Sequence, residues 1–306
     1  MPDKQFLKFT CGLALVLALP LAIQASSTIT VNYQVCAAVS ATCVSTNPAA
    51  ASQQWSHGYS NAVAGVTFGS VFGHVDASIS TPAVPAGEQP YWLEQTGFAA
   101  TELMLDGFQV TGPWDSLAPL STIQVGLSVQ ITGGGYVDSS SADGSGSRAD
   151  VYMQVLLYNE WAGAGSAGRT FESIAYSGNA CSNPSGCISG FLAPGIYPVG
   201  SITLHQNDQF GVDLQMWPLR VTADARSGNS ASGLSDYTLS FLVDQPVFDL
   251  PPGFTVNADS YLGHIVNNEL SSSSTPEPAT LSMLLGGFLA TGICAARRTG
   301  RRAGTR

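Results

Sequence analysis

Residues 124–131 read Gln-Val-Gly-Leu-Ser-Val-Gln-Ile, with polar and apolar side chains in regular alternation. Successive side chains of a β-strand point to opposite faces of the sheet, so this pattern predicts a strand with one buried side. The same alternation occurs in residues 151–157, 210–216 and 237–243. Because no long segment outside the two terminal apolar runs has helical periodicity, we predict that the body of the chain is all-β.

Clusters of Gly and Pro separate these segments, as expected of turns between strands. About 250 residues can bury a core as one domain, so many short strands predict a single β-sandwich, jelly-roll-like, over residues 26–267. We expect residues 133–148 to form a surface loop and residues 268–275 to form a Ser-rich linker. The turn clusters lie at residues 133–135, 143–146, 194–195 and 251–253.

The N-terminus has the pattern of a secretory signal peptide. Lys4 and Lys8 precede an apolar run over residues 11–23, and small residues follow near Ala25. A positive segment, an apolar segment and a small-residue cleavage site are the three parts of such a peptide. We therefore predict that residues 1–25 form a signal peptide and that the rest of the chain is exported.

The C-terminus has the pattern of a second targeting segment. Pro276, Glu277 and Pro278 precede an uncharged apolar run over residues 279–296. This run is just long enough to cross a bilayer as a helix, and positive flanks stay on the cytoplasmic side. We predict a transmembrane helix that leaves the body outside the cytoplasm and is stopped by Arg297, Arg298, Arg301 and Arg302.

These three parts in this order resemble the PEP-CTERM sorting signal, over residues 276–302. The resemblance implies that a membrane-embedded exosortase recognises the tail, and that the source is a Gram-negative bacterium that makes exopolysaccharide. It also implies passage through the inner membrane as a single-pass precursor, followed by surface or matrix localisation if the tail is processed. Whether and where the tail is cut stays open at this point.

Four cysteines lie in the exported body, as two close pairs. An oxidising compartment favours disulfides, and each pair would close a small loop. The alternative is a metal site, but the spacings match no zinc pattern. We predict that Cys36 bonds to Cys43 and that Cys181 bonds to Cys187.

The body is strongly acidic. Between Ser26 and Thr275 it has nineteen acidic residues, four arginines and no lysine, which gives a net charge of −15. Such a surface repels nucleic acid, and it repels anionic polysaccharide unless cations bridge the two. The spacing of Asp138, Asp143 and Asp150 does not fit an EF-hand, so we interpret them as solvated carboxylates, with weak calcium binding as the alternative.

No catalytic motif is evident. There is no nucleophile elbow, phosphate-binding loop or dinucleotide motif, and the four histidines are far apart in the sequence. Glycosidases need only two carboxylates, and four glutamates lie on or beside predicted strands, but no pair can be assigned. We expect no cofactor and no enzymatic activity; the glutamates are Glu94, Glu102, Glu160 and Glu172.

Exposed aromatic rings stack on sugar faces, so Trp92 and Trp161 are candidates for a carbohydrate platform, although core packing explains such residues more often. We predict an exported surface or matrix protein that is non-enzymatic and associated with exopolysaccharide. The alternatives are a carbohydrate-binding or adhesive module and, less favoured, a secreted glycoside hydrolase. The sequence does not define the ligand or the oligomeric state.

Overall fold

The computed structural model describes residues 27–39, 42–118, 121–140, 145–161, 165–178 and 190–271. This part of the chain is all-β apart from a short 3-10 turn over Trp114–Ser116, which confirms the predicted fold class. Within it, no helix has the length and hydrophobicity needed to cross a membrane. The predicted signal peptide, the sorting tail with its apolar run, and the Cys181–Cys187 pair lie outside the described residues.

The strands vary greatly in length, from two residues to twenty. In chain order they are β1 (Ser27–Thr28), β2 (Thr30–Ala38), β3 (Ala49–Trp55), β4 (Gly58–Thr67), β5 (Ser70–Ser80), β6 (Trp92–Thr111), β7 (Thr122–Ser139), β8 (Gly146–Asn159), β9 (Ser166–Gly178), β10 (Gly195–His205), β11 (Gln209–Arg226), β12 (Ser230–Phe241), β13 (Phe248–Asp249), β14 (Thr255–Val256), β15 (Ala258–Asp259), β16 (His264–Val266) and β17 (Glu269–Ser271).

Two large antiparallel sheets form the body. The seven-stranded sheet has the order β10-β7-β12-β5-β4-β3, with β13 beside β7. The six-stranded sheet has the order β14-β6-β11-β8-β9, with β2 beside β6. A small four-stranded sheet has the order β1-β15-β16-β17. The chain switches between the large sheets repeatedly, since β5, β7, β10 and β12 lie in one and β6, β8, β9 and β11 in the other.

The core lies between the two large sheets, in an arrangement consistent with a β-sandwich. The apolar positions of the alternating segments are buried as predicted, except that Val243 lies beyond the end of β12 and is 60% exposed. Phe108, Phe210 and Phe248 form a ring cluster with centroids 5.0–5.3 Å apart. This cluster draws on both sheets, because β6 and β11 belong to one and β13 to the other.

The sheets approach each other closely where the facing residue is glycine. A Cβ added at Gly73 in β5 would lie 2.9 Å from Leu219 Cδ2 and 3.1 Å from Met216 Sδ in β11. Real Cβ atoms do not come that close to such neighbours without a shift. Gly73 therefore fixes the sheet separation beside the centre of β11.

Two predicted boundaries need correction. Strand β7 continues to Ser139 and β8 starts at Gly146, so most of the loop predicted over 133–148 is paired strand. Gly133 permits this, because its φ of +111° and its close approach to Asp236 exclude larger residues. Asp138 and Asp150 consequently lie on strands, while Asp143 lies outside the described residues.

The predicted linker over 268–275 also begins too early. Strand β17 covers Glu269–Ser271 and pairs with β16, and the Val247 N–H donates to the Asn268 carbonyl at 2.7 Å. The Asn268 side chain is buried and bonds both the N–H and the carbonyl of Phe248. The folded domain therefore extends at least to Ser271.

The Cys36–Cys43 disulfide is present, with a Cα–Cα distance of 5.5 Å. Beside it, Ala37 and Val44 exchange two backbone hydrogen bonds of 3.1 and 2.9 Å. The disulfide thus holds the end of β2 against the returning chain, at the margin of the six-stranded sheet.

Candidate functional site

The outer surface of the six-stranded sheet carries the most developed site in the described part of the chain. We call it the Trp217 face; it is formed by the outward side chains of β2, β6, β11, β8 and β9. Trp217 stands near its middle and is 51% exposed. An exposed indole at the centre of a sheet, rather than at a loop tip, is the feature from which the site is built.

A bulge in β11 places Trp217 there. The pairing of β11 shifts register between Met216 and Leu219 against both neighbours, β6 and β8. Met216 and Leu219 are both fully buried, so the two residues between them are displaced to the outer side. Pro218 has no N–H to give to the ladder, and proline is tolerated in a central strand only at such irregularities. The Trp217-Pro218 pair therefore produces the projection.

A groove of about 410 Å³ lies on one side of the Trp217 ring. Ala100 lines this groove with a small side chain, and Gln34 and Tyr33 from β2 line its other wall. Cys36 and Cys43 also line this groove. Their disulfide ties this wall of the site to the fold.

A second groove, of about 250 Å³, lies on the other side of Trp217. Its polar lining contains an ion-paired set in which Asp150 accepts from Arg148 Nε at 2.5 Å and from Arg220 Nε at 2.9 Å. Arg148 also lies over the Tyr176 ring, 5.4 Å from its centroid. Glu172 lines the same groove, so two guanidinium groups are balanced by two carboxylates.

A pair of carboxylates, Glu102 on β6 and Asp213 on β11, lies on the same face. Gln215 Nε2 donates to Glu102 Oε1 at 3.0 Å and to Asp213 Oδ2 at 2.6 Å, which holds the two acids together. Asp213 is only 5% exposed, and its Oδ1 has no hydrogen-bond partner among the described residues. Burial raises the pKa of Asp213 to about 6; the Gln215 hydrogen bond opposes this, and the charges of Glu102 and Asp106 add to it.

Asp106 has its own partner, since the Tyr158 hydroxyl donates to Asp106 Oδ1. Burial, followed by this bond and the nearby carboxylates, raises the pKa of Tyr158, which therefore stays protonated. A protonated phenol, an amide and three carboxyl groups thus share one region of the outer surface. An ionised carboxyl that is buried without a cation is costly, and such groups mark functional sites more often than ordinary surface.

The structure places the two predicted platform tryptophans far apart. Trp92 begins β6 opposite Arg226 and is 56% exposed, whereas Trp161 follows β8 and is 70% exposed. The Glu160 N–H bonds the Gln209 carbonyl, at the other end of β11 from Arg226. With a rise of about 3.3 Å per residue, the two rings are roughly 50 Å apart. They are therefore two separate exposed rings, one toward each end of the six-stranded sheet.

Of the four candidate glutamates, Glu102 has a close carboxylate partner, Asp213, which sequence reasoning did not single out. The sequence contains a signal for this site. Asp213, Gln215 and Trp217 occupy consecutive outward positions of one alternating segment, and Pro218 interrupts the alternation. The alternation was used only to predict the buried side of this strand, and its outward side chains were not considered together.

The histidines lie apart from the Trp217 face. His205 lies 3.3 Å from Asp208 in the turn after β10, His264 lies 2.6 Å from Asp259 on β15, and His74 lies in the other large sheet. In the part of the chain that the structure describes, no group of three or more His, Cys, Asp or Glu residues is arranged to hold a metal ion. Comparison with protein-family models, with curated proteins and with solved structures finds no match for this chain.

Proposed function

We propose that the protein is exported and binds a neutral glycan across the Trp217 face. The observation that carries this proposal is the half-exposed Trp217 ring between two grooves lined by hydrogen-bonding side chains. An indole face attracts the C–H face of a sugar ring, and flanking polar groups fix its orientation. Export is supported by the signal-peptide pattern of residues 1–25 and by the tail pattern of residues 276–302.

The charge of the molecule favours a neutral ligand. The exported body carries a net charge of −15, which repels anionic polymers over the whole surface. In the groove beside Trp217, the Arg148 and Arg220 guanidinium groups are balanced by Asp150 and Glu172. Such a groove offers both donors and acceptors, which suits sugar hydroxyl groups.

The strand order supports the finer fold assignment, a jelly roll. One sheet contains β10-β7-β12-β5 and the other contains β6-β11-β8-β9, so successive strands alternate between the sheets except at the β8–β9 hairpin, and later strands return beside earlier ones. Two interlocked Greek keys of eight antiparallel strands have this order. The fold carries no activity by itself, but it gives each sheet a broad outer face on which a polymer can lie.

We further propose that the tail at residues 276–302 is a PEP-CTERM sorting signal, recognised by an exosortase at the inner membrane. The protein then reaches the cell surface or the matrix and associates there with exopolysaccharide. The intact mass of the protein from its native host tests this. A species ending near Pro276–Pro278 supports processing, whereas a membrane species that retains Arg306 leaves a single-pass anchored protein.

Binding is tested by affinity electrophoresis of the purified exported body in gels that contain neutral or anionic polysaccharides. We expect retardation by at least one neutral polysaccharide and about tenfold weaker binding for Trp217→Ala, since one aromatic stack is worth roughly 1 kcal/mol or somewhat more. Trp55→Ala is the matched control, because that ring is 44% exposed and lies on β3 of the other large sheet. Equal losses in both variants, or retardation by anionic polymers alone, would contradict the proposal.

A second candidate, glycoside hydrolysis, is favoured by one observation. Glu102 and Asp213 bond the same nitrogen of Gln215, so their carboxyl groups are no farther apart than two hydrogen bonds allow. Retaining glycosidases place their two carboxyls about 5–5.5 Å apart. Glu102 would attack the anomeric carbon while Asp213 gives its proton to the departing sugar oxygen, and water would then release the bound sugar.

Reducing-end release from the polysaccharide that binds tests this second candidate. Activity that disappears in Glu102→Gln and in Asp213→Asn, with retained binding, would establish hydrolysis. Absence of any release by a preparation that binds would exclude it for that glycan. We favour binding alone, because Asp213 is 5% exposed and Trp217 is 51% exposed.

A further inference from the structure

The outer surface of the seven-stranded sheet also presents aromatic rings. We call it the Tyr59–Tyr136 face; it is formed by outward residues of β4, β5, β12 and β7. Tyr59 is 38% exposed and Tyr136 is 48% exposed. They occupy adjacent rows of the sheet, since Tyr59 pairs with Ser78 in one row and Tyr136 pairs with Leu234 in the next.

The two rings flank a shallow strip. Strands β5 and β12 separate β4 from β7, so the strands that carry the tyrosines are about 14 Å apart. Ser78 and Ser232 lie opposite each other on the strands between them, and their small side chains keep the strip low. Asp76 and Leu234 lie in the next row of the same two strands.

Polar groups border the strip. Asn61 Nδ2 donates to Asp76 Oδ2 at 3.3 Å, and His74 lies 3.8 Å from Asp76 and 3.6 Å from Asp236. Burial and the charge of Asp76 raise the pKa of Tyr59, and the neighbouring Tyr136 adds to this, so Tyr59 stays a neutral donor. Amide, imidazole, phenol and carboxylate groups together provide donors and acceptors around two aromatic faces.

We propose that the Tyr59–Tyr136 face is a second glycan site, so that one molecule holds two neutral glycan chains on opposite sides of the sandwich. The ligand class rests on the function proposed for the Trp217 face. The two sheets lie back to back across the core, and a single sugar segment cannot reach both faces at once. The protein therefore cross-links polysaccharide chains, whereas a protein with one site would only coat them.

The charge of the Tyr59–Tyr136 face disfavours anionic ligands. It carries Asp76, Asp138 and Asp236 but no arginine, so it does not attract an anionic polymer. A cationic protein segment would match the charge and could contact the rings, whereas the neutral donors beside the rings, Asn61 and Tyr59, match sugar hydroxyl groups. We therefore commit to a neutral glycan, and treat a cationic segment as an outcome of the test.

The experiment combines stoichiometry with cross-linking. Titration calorimetry with a short neutral oligosaccharide, one that retards the protein in gels, is expected to give two sites for the native body. Trp217→Ala and the double variant Tyr59→Ala with Tyr136→Ala are each expected to give one site. Light scattering of protein mixed with the matching polysaccharide is expected to show networks only for the native body, and avidity is expected to drop at least tenfold in either variant.

Tyr261→Ala, at a ring that is 72% exposed on the segment between β15 and β16, is the matched control and is expected to retain both sites. Tyr136→Ala alone replaces the double variant if the latter unfolds, as judged by near-ultraviolet circular dichroism. Loss of all binding in Trp217→Ala would overturn the second site and leave the first proposal standing. Binding that the tyrosine variants abolish and Trp217→Ala leaves intact would overturn the first. Binding of polylysine at the tyrosine face, without binding of oligosaccharide, would overturn the second site as well.

Discussion

The two outer faces of the sandwich expose aromatic rings by different means. On the Trp217 face, a register shift on both sides of β11 forces one residue pair out of the ladder. On the Tyr59–Tyr136 face, the ladders of β4, β5, β12 and β7 run without a shift, and the tyrosines occupy ordinary outward positions. An irregular strand makes a prominent ring with grooves beside it, whereas regular strands make a low and flat strip.

The faces also differ in charge. Residues 26–275 contain four arginines, and three of them, Arg148, Arg220 and Arg226, lie on strands of the Trp217 face at outward positions. The Tyr59–Tyr136 face has His74 and aspartates instead. We therefore expect a substitution in the common core to affect glycan binding at both faces. A substitution on one face should leave binding at the other face unchanged.

The largest effect is expected from the shared core. Phe210 is fully buried and its ring lies 5.3 and 5.0 Å from those of Phe108 and Phe248. Phe210→Ala should lower the free energy of unfolding by about 3–5 kcal/mol. It should also weaken glycan binding at both faces. Urea denaturation measures this, with Trp217→Ala as an exposed control that should change stability by less than about 1 kcal/mol. A loss below that level for Phe210→Ala would contradict a single shared core.

The second effect concerns Asp213 on the Trp217 face. Its folded-state pKa of about 6 exceeds the ordinary value of 3.8, so its contribution to stability is present below about pH 4 and is lost as the pH rises through about 6. Asp213→Asn should remove this loss and stabilise the protein above that pH by at most about 3 kcal/mol.

Thermal unfolding at several pH values measures the difference between Asp213→Asn and the native protein. Asp244→Asn, at an exposed residue with φ of +57°, is the matched exposed control. A profile for Asp213→Asn that parallels the native one would show that Asp213 is not buried in its charged form. The Tyr59–Tyr136 face should bind equally well in both variants.

The third effect concerns the disulfide beside Trp217. Replacing Cys36 and Cys43 by Ser opens a loop with a sequence separation of 7 and should cost about 2 kcal/mol by the chain-entropy account. Because both cysteines line a groove of the Trp217 face, glycan affinity there should fall as well. Calorimetry after mild reduction of the native protein provides an independent check. An equal loss of glycan affinity at the Tyr59–Tyr136 face would show that the disulfide acts on the whole fold.

The smallest effect is expected at Tyr59. Its pKa is raised above the ordinary value of 10.0, so at neutral pH the hydroxyl is protonated with or without this shift. Tyr59→Phe should change stability by no more than about 0.5 kcal/mol. In an alkaline titration, the tyrosinate absorbance of this variant should lose a component that titrates above the ordinary range. An unchanged titration would contradict the burial of Tyr59 beside Asp76.

Alternation of apolar residues was sufficient to predict the strands, because the buried side of each is set by local sequence. It predicted the buried positions of β7, β8, β11 and β12 correctly, and the close spacing of the cysteines paired Cys36 with Cys43. Alternation did not locate the candidate site. Trp92 and Trp161, the alternative sugar-stacking rings, are both exposed, but neither of them points to the bulge that carries Trp217.

By itself, the sequence determined the all-β class, the acidic surface, the Cys36–Cys43 bond and the two address patterns, since each depends on composition or on residues close together in the chain. The tertiary structure decided which residues meet. Glu102 and Asp213 come together only because β6 pairs with β11, and Tyr59 shares a strip with Tyr136 only because two other strands lie between theirs. Pairings between strands distant in the chain are set by how two sheets bury one core, and no local pattern encodes them.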